Sequence, residues 1–488
     1  MIRLLFLLHR YLGIAVGMLM AMWCLSGVVM MYVSYPTLDA RTRLAHLTPI
    51  DWHHCCQVST SMLGDTDPVP PFRIEMLAGR PVLELQHGRR SARLIDLSTG
   101  MRIDQISATQ AVSVAAPYTR APTPAEGAAG AAGGSEITAG APRLIDEVDF
   151  DQWTLEGISP ADRPLYHFEL RDGQGGEVYV SSSTGQAVQL TTRRERFWNW
   201  LGAIPHWLYF ADLRHHAGLW SQVVIYTSLV GCFLAATGLY IGVRQLIRRP
   251  RGRWSPYHGF NLWHHIAGLF FGVFLLTWVL SGLLSMNPWG LMEGGGAGAA
   301  RARLRGASIS AGDLRATLQR LATAAPGGVV SVQSVPFAGK LFLIASEADG
   351  SRRRLDADGA PAPLEPADLR FLAATLHGRA EDMQLLKQGD VYYFSPPGDR
   401  VELPVWRLLP RNDSATRYYV DPVSGTLIAA LDRADAHYRW WHEALHRMDF
   451  APAIRRRPQW DVLMWLLMSG VTVISVTGTY LGYRRLTH

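Results

Sequence analysis

The sequence predicts a helical membrane protein, a bundle of four spans that arose by tandem duplication and carries two extracytoplasmic α+β inserts. The 48% apolar content is concentrated in four segments that contain no Asp, Glu, Lys or Arg. Each has roughly 20 residues, enough to cross ~30 Å of hydrocarbon at about 1.5 Å per residue. The segments are 13–33, 219–243, 266–286 and 462–483. The order of span, large insert and span occurs twice, which indicates a duplication.

Two internal repeats relate the copies. One joins residues 240 positions apart and ends in Thr-Gly-x-Tyr-x-Gly; the other joins residues 255 positions apart and ends in Ser-Gly. In the first, His206 aligns with His446, Thr237-Gly238 with Thr477-Gly478, and Trp200 with Trp440. In the second, His9 aligns with His264, Trp23 with Trp278, and Ser26-Gly27 with Ser281-Gly282.

Other interpretations of a single span are a buried core helix or, for the first, a cleaved signal peptide. Four such segments together argue against core helices. The first segment is too long for a signal peptide, lacks a small-x-small cleavage site and carries His9 of the repeat. We therefore expect it to be a retained transmembrane helix.

The repeats and spans divide the chain into seven parts. These are the first transmembrane helix (1–35), an external domain (36–200, with a Pro/Ala/Gly-rich flexible linker at 119–142), an interfacial segment with the second transmembrane helix (201–245), a cytoplasmic loop (246–260), the third transmembrane helix (261–288), a second external domain (289–437), and an interfacial His segment with the fourth transmembrane helix (438–488).

Arginines in the short segments predict the orientation. They precede the first span, lie between the second and third, and follow the fourth, so all fall on one side if both termini are cytoplasmic. The inserts then lie outside, in the periplasm of a Gram-negative cell. The residues are Arg3, Arg10, Arg244, Arg248, Arg249, Arg251, Arg253, Arg484 and Arg485. The net charge of +6 largely reflects this topology, and no nucleic-acid motif accompanies it.

The inserts show strand and helix patterns. Alternating apolar residues at 72–104 predict strands around a turn. Apolar residues at helical spacing in 308–324 predict a helix, and the segments after it predict two strands. The first insert also contains His53, His54, Cys55 and Cys56, which are metal-ligand residue types. Adjacent cysteines do not have the spacing of a structural zinc site, so we favour an exposed turn and expect no disulfide framework.

The strand–turn segments YVSSSTGQAV and YVDPVSGTLI resemble PepSY domains, in which a helix packs on a small antiparallel sheet. The spans, with His-x-x-x-Gly…Ser-Gly and His…Thr-Gly-x-Tyr-x-Gly…Arg, resemble the PepSY-associated transmembrane family. That family includes inner-membrane ferric-siderophore reductases that carry b-type haem. The resemblance covers nearly the whole chain and implies an iron-reducing oxidoreductase with haem b, at two sites.

His9 and His264 are the first predicted ligand pair. Each lies 17 residues before a Ser-Gly pair, at the cytoplasmic end of its helix. Parallel repeats imply a pseudo-twofold axis along the membrane normal, so the two imidazoles could ligate one haem iron from both faces. Nearby glycines would leave room for the macrocycle, or would only allow close helix packing. These are Gly13, Gly17, Gly268 and Gly272.

His206 and His446 are the predicted pair at the outer face. Each lies 31 residues before a Thr-Gly pair, too far for one helix inside the membrane, so we expect an interfacial helix or bend. Other candidates for ligation, for contacts to haem propionates or for substrate binding are His442, His215, His216 and His265. For each of these histidines, the alternative is a structural role as an interfacial residue that caps a helix.

The short cytoplasmic segments contain no dinucleotide or phosphate-binding motif, so electrons would come from a quinol or another donor. We therefore expect an inner-membrane protein, in contact with lipid, that passes electrons to a periplasmic ferric siderophore or other ferric chelate. One alternative is transfer to another periplasmic acceptor. The other is a non-redox membrane protein whose external domains bind a partner.

Overall fold

The computed structural model describes residues 2–58, 66–87, 91–119, 140–249, 254–290, 292–394, 401–410 and 415–487. Residues 120–139 of the predicted linker, and Arg251 and Arg253 of the predicted cytoplasmic loop, lie outside these ranges.

Two sets of elements alternate along the chain. The helices are α1 (Ile2–Met30), α2 (Ala40–Ala45), α3 (Ala108–Ala115), α4 (Arg193–Leu201), α5 (Ala203–Trp207), α6 (Ala211–His215), α7 (Ala217–Ile247), α8 (Gly259–Ser285), α9 (Gly298–Arg305), α10 (Ala311–Ala324), α11 (Pro366–Thr375), α12 (Arg433–Tyr438), α13 (Leu445–Arg447) and α14 (Gln459–Thr487). The strands are β1 (Pro68–Val69), β2 (Phe72–Leu77), β3 (Arg80–His87), β4 (Ser91–Asp96), β5 (Met101–Ile103), β6 (Arg143–Val148), β7 (Leu165–Glu169), β8 (Glu177–Ser181), β9 (Ala187–Thr191), β10 (Ile309–Ser310), β11 (Val329–Phe337), β12 (Lys340–Glu347), β13 (Arg352–Leu355), β14 (Met383–Leu386), β15 (Val405–Leu408), β16 (Arg417–Val420) and β17 (Leu427–Leu431).

Four helices, α1, α7, α8 and α14, are long and apolar enough to cross a membrane, so the chain has the architecture of a membrane-embedded protein. They form a ring in which α1 contacts α7 and α14, and α8 contacts the same two helices. Helices α1 and α8 are therefore diagonal to each other. The small helices α5 and α13 pack against α1 and α8 respectively, at the end of the bundle that faces the sheets, which we call the outer end.

A seven-stranded antiparallel sheet combines both inserts, in the order β13-β12-β11-β2-β3-β4-β5. Its two halves join where Val332 of β11 faces Ile74 of β2. The helix predicted within 308–324 is confirmed as α10, and its leucines pack on the apolar face of this sheet. The inserts are therefore not independent domains, because each leaves a strand edge that only the other insert pairs.

Each insert also contributes a four-stranded antiparallel sheet with a helix packed on it. Sheet β6-β7-β8-β9 carries α3, and sheet β14-β15-β16-β17 carries α11. The helix faces are apolar at helical spacing, with Ala111 and Ala115 on α3, and Leu372 on α11 followed by Leu376 at its C-cap. These sheets lead directly into the short helices above the bundle.

The motif DWHHCC differs from the expected exposed turn. A short 3₁₀ helix spans Trp52–His54, capped by the Asp51 side chain. His53 and His54 are exposed, but Trp52 and Cys56 are buried in the core of the shared sheet. Cys55 and Cys56 are joined by a disulfide, which the sequence analysis did not predict. Adjacent cysteines need only a local turn, with Cys56 at a φ of 112°, and no long-range approach.

Candidate functional site

His9 and His264 face each other across the bundle from the diagonal helices α1 and α8. Their ring centroids lie 6.4 Å apart, with planes at 48°. The pair is near the end of the bundle opposite to the sheets, because both residues precede most of their helices' apolar length.

The Thr-Gly pairs of α7 and α14 hold these two rings. Nδ1 of His9 lies 3.1 Å from the Leu234 carbonyl oxygen, and Nδ1 of His264 lies 3.1 Å from the Ile474 carbonyl oxygen. The hydroxyls of Thr237 and Thr477 approach the same nitrogens at 3.5 and 3.1 Å. Since a carbonyl only accepts, Nδ1 carries the proton in both rings.

The glycine after each threonine provides the space for the ring. A Cβ atom at Gly238 would lie 2.7 Å from Cε1 of His9, and one at Gly478 would lie 3.0 Å from Cε1 of His264. At 2.7 Å the His9 ring would have to shift, and 3.0 Å is tighter than nine in ten real Cβ contacts. The Thr-Gly motif therefore combines a hydrogen bond to the histidine with a flat surface beneath it.

His206 and His446 form the second pair, at the outer end of the bundle. They lie on α5 and α13, and their ring centroids are 6.0 Å apart with planes at 70°. Both short helices end at a residue in the left-handed conformation, Leu208 at φ 53° and Met448 at φ 52°. These turns confirm that each histidine lies on a separate short helix above the span, as its distance from the Thr-Gly pair predicted.

The Ser-Gly pairs of α1 and α8 hold this outer pair in the same manner. Nδ1 of His206 lies 3.0 Å from the Trp23 carbonyl oxygen and 3.2 Å from Oγ of Ser26. Nδ1 of His446 lies 2.9 Å from Oγ of Ser281, which itself donates to the Trp278 carbonyl oxygen. A Cβ atom at Gly27 would lie 3.3 Å from His206, so this glycine also makes room for its ring.

All four histidines therefore share one arrangement. Nδ1 donates to a neighbouring helix, and no hydrogen bond within the described ranges reaches Nε2. An Nδ1–H tautomer leaves the lone pair on Nε2, which is the atom a metal would bind. Burial lowers the pKa of His206 to about 4 and that of His446 well below its ordinary value, which keeps both rings neutral.

His442 has the same features one turn before His446. It lies in a π-helical segment, and its Nδ1 is 2.8 Å from the Ser281 carbonyl oxygen. Its ring centroid is 5.4 Å from that of His446, and burial lowers its pKa to about 4. His442 therefore lies beside His446, whereas His206 and His446 face each other from different short helices.

The remaining candidates lie elsewhere. His215 ends α6 and His216 directly precedes α7; both are exposed, and His215 contacts the edge of Phe150. His265 is buried, but Ser255 occupies its Nδ1 at 2.8 Å and the Gly242 carbonyl occupies its Nε2 at 2.9 Å. Neither nitrogen of His265 is free to bind a cofactor.

The two pairs fit a haem iron. Two imidazoles that bind one iron from opposite faces, each with a metal–nitrogen bond of roughly 2 Å, have ring centroids about 6 Å apart. The observed 6.4 and 6.0 Å agree with that spacing. Gly13 and Gly268, one turn from the inner histidines, have open space or ordinary contacts beside them, whereas Gly17 and Gly272 pack closely on neighbouring helices.

Two buried indoles point to an additional group near the outer pair. Nε1 of Trp23 and Nε1 of Trp278 are buried and have no hydrogen-bond partner among the described residues. Each tryptophan precedes the glycine of its Ser-Gly pair by four residues and therefore lies on the same helix face. An unpartnered donor inside a membrane bundle is costly, so a group with acceptor atoms suits this place.

Sequence reasoning identified the four histidines and both dipeptide motifs, but not that each motif holds a histidine. The signal was present in the repeats, because each dipeptide recurs with its histidine. Among the described residues, no group of three or more His, Cys, Asp or Glu side chains is arranged to hold a metal ion, and His53 and His54 belong to no such cluster.

Comparisons with known proteins add no assignment. No protein-family model matches the chain, and no curated protein matches it.

Proposed function

We propose that this chain is a b-type haem protein of the bacterial inner membrane that moves electrons outward to reduce a periplasmic ferric chelate, such as a ferric siderophore. The proposal includes the tandem duplication and the relationship to PepSY-associated ferric-siderophore reductases. The observation that carries it is the presence of two facing histidine pairs at two levels of one bundle.

The spacing between the two levels supports transfer across the membrane. On α1, the inner level lies at His9 and the outer level at Gly27, against which His206 packs. Eighteen residues of helix rise about 27 Å, close to the thickness of the hydrocarbon core. Two cofactors at these levels would therefore place one near each face of the membrane.

Haem b, when bound, supplies one-electron redox chemistry at each pair. The chain's own residues fix where it binds. His9 and His264 present Nε2 at the inner level, and His206 and His446 present Nε2 at the outer level. The carbonyl and hydroxyl partners at Nδ1 fix ring orientation and increase ligand basicity, as such partners do at metal sites.

One-electron transfer to a ferric chelate requires few further residues. Reduction of a ferric chelate by one electron requires no acid–base residues, only a docking surface near the outer pair. The sheets lead directly into the helices that carry His206 and His446, so a substrate held on the external domains would lie next to the outer site. A quinol or a separate protein would supply electrons at the inner pair.

The optical spectrum of the purified protein tests this proposal. Reduced-minus-oxidised difference spectra should show a b-type α-band, and a pyridine haemochrome assay should give two haems per chain. Colourless protein, isolated from cells with ample haem, would overturn the proposal and favour the non-redox alternative. If the protein is coloured and reduces other periplasmic acceptors but not ferric chelates, the haem-binding part of the proposal stands and the proposed substrate is refuted.

A further inference from the structure

A cavity with a mainly apolar lining and a few charged side chains lies among the sheets, and its lining includes none of the paired histidines. Its volume is about 170 Å³. Strands β2 and β3 of the shared sheet form one side, and α2 and the residues after α3 form another. The turn at 184–187, which belongs to the sheet β6-β7-β8-β9, closes it. The cavity is therefore at a junction between two sheets, where ligand sites commonly occur.

Four charged side chains line the cavity, and two of them already form a complete pair. Arg43 makes two hydrogen bonds of 2.7 Å to the carboxylate of Glu75, which also accepts from Ser331. This pair is satisfied without any ligand. It neutralises its own charge and forms a fixed polar wall.

The other two charged side chains are only loosely paired. The Arg73 guanidinium lies 3.9 Å from the Glu84 carboxylate, and its short hydrogen bond goes to the Gln186 amide oxygen instead. Gln186 in turn donates to Glu84. Glu84 is 9% exposed, and its burial raises its pKa, with the neighbouring carboxylates adding to this effect. Arg73 also lies 3.8 Å from Glu75, so it makes long ion pairs to two carboxylates and a short hydrogen bond only to Gln186 among the described residues.

Tyr118 provides a further unsatisfied polar group. It lines the cavity, is 6% exposed, and its hydroxyl has no hydrogen-bond partner within the described part of the chain. Its ring stacks on His46 at 4.2 Å, which fixes its position. The opposite part of the lining is apolar and includes Leu47, Leu77 and Val82.

We propose that this cavity binds a small zwitterion, an α-amino acid with a short apolar side chain, alongside the long Arg73–Glu84 ion pair. The ligand carboxylate binds Arg73 and Tyr118, the ammonium group binds Glu84, and the side chain contacts the apolar lining. Two arginines and two glutamates make the lining neutral overall, so an anion or a cation alone would leave an unmatched buried charge. The volume also limits the ligand, because a cavity of about 150 Å³ holds a molecule the size of benzene.

Isothermal titration calorimetry on the full chain in detergent tests the site, with L-valine as the probe. Isobutyrate and isobutylamine are matched controls, because each keeps the side chain and only one of the two charges. Valine should bind, and both controls should bind at least about tenfold more weakly, since each lacks one charge-assisted hydrogen bond. Absence of valine binding, or equal binding of either control, would overturn the proposal.

Substitutions then locate the site. Arg73→Gln and Glu84→Gln should each weaken valine binding about tenfold or more, and Tyr118→Phe a few-fold. Arg102→Gln is the control, because Arg102 pairs with Asp104 on the last strand of the same sheet and does not line the cavity. Melting temperatures of all variants separate lost binding from lost folding. If folded Arg73→Gln and Glu84→Gln bind valine with wild-type affinity, the assignment is refuted. This outcome does not depend on whether the protein contains haem.

Discussion

Gly238→Ala is the change that most sharply separates the inner site from the outer one. The added Cβ atom would lie 2.7 Å from Cε1 of His9, whereas ordinary contacts begin at 3.4 Å. The ring must therefore shift by about 0.7 Å, which exceeds the ~0.2 Å by which metal–ligand distances vary. The hydrogen bond to Leu234 opposes this shift, because it holds the ring against α7. We expect the inner haem to be lost or to lose one axial ligand.

Low-temperature difference spectra and a pyridine haemochrome assay provide the measurement. Haem content should fall from two toward one per chain, with the outer component unchanged. Alanine is the better helix former by about 1 kcal/mol, so a weakened helix would not explain the loss. Gly218→Ala on the same helix is the matched control, since nothing lies within 4 Å of a Cβ atom there. An unchanged inner component in Gly238→Ala would refute the role given to the Thr-Gly motif.

Two further predictions concern the external domain and the topology. His167 lies between Glu177 and Asp146; burial alone would lower its pKa, but these hydrogen bonds outweigh burial and raise it. Its stabilising effect is thus fully present below the unfolded pKa of about 6.5 and is lost as pH rises through the higher folded pKa. His167→Gln should lower the melting temperature more near pH 6 than near pH 9, and an equal loss at both would contradict this. A reporter fused after His488 should be active in the cytoplasm, and activity only outside would refute the charge-based orientation.

Local patterns allowed several elements to be predicted. The four spans follow from length and composition, and helix α10 follows from Leu314, Leu318 and Leu321 at helical spacing. The pairing of β2 with β11 could not be predicted, because about 250 residues separate the two strands and alternation of apolar residues does not identify a partner. The joint sheet is therefore a consequence of tertiary structure alone.

In the candidate site, too, the sequence predicted the residues but not the contacts between helices. The sequence repeats predicted the pairing of His9 with His264 and of His206 with His446, because positions at equal register were expected to be equivalent about a twofold axis. They did not show that Gly238 and Gly478 contact the inner rings, because that contact joins different helices. Nor did they show that both nitrogens of His265 are occupied, which depends on Ser255 and Gly242.

Haem analysis of histidine variants tests the central claim most directly. His9→Ala or His264→Ala should abolish or alter the inner haem and leave the outer one intact, because removing one imidazole opens a coordination site. His206→Ala or His446→Ala should do the reverse. His442→Ala should retain both haems, and it should at most slow reduction of the external substrate. Loss of the outer haem in His442→Ala, with retention in His446→Ala, would contradict the pairing of His206 with His446.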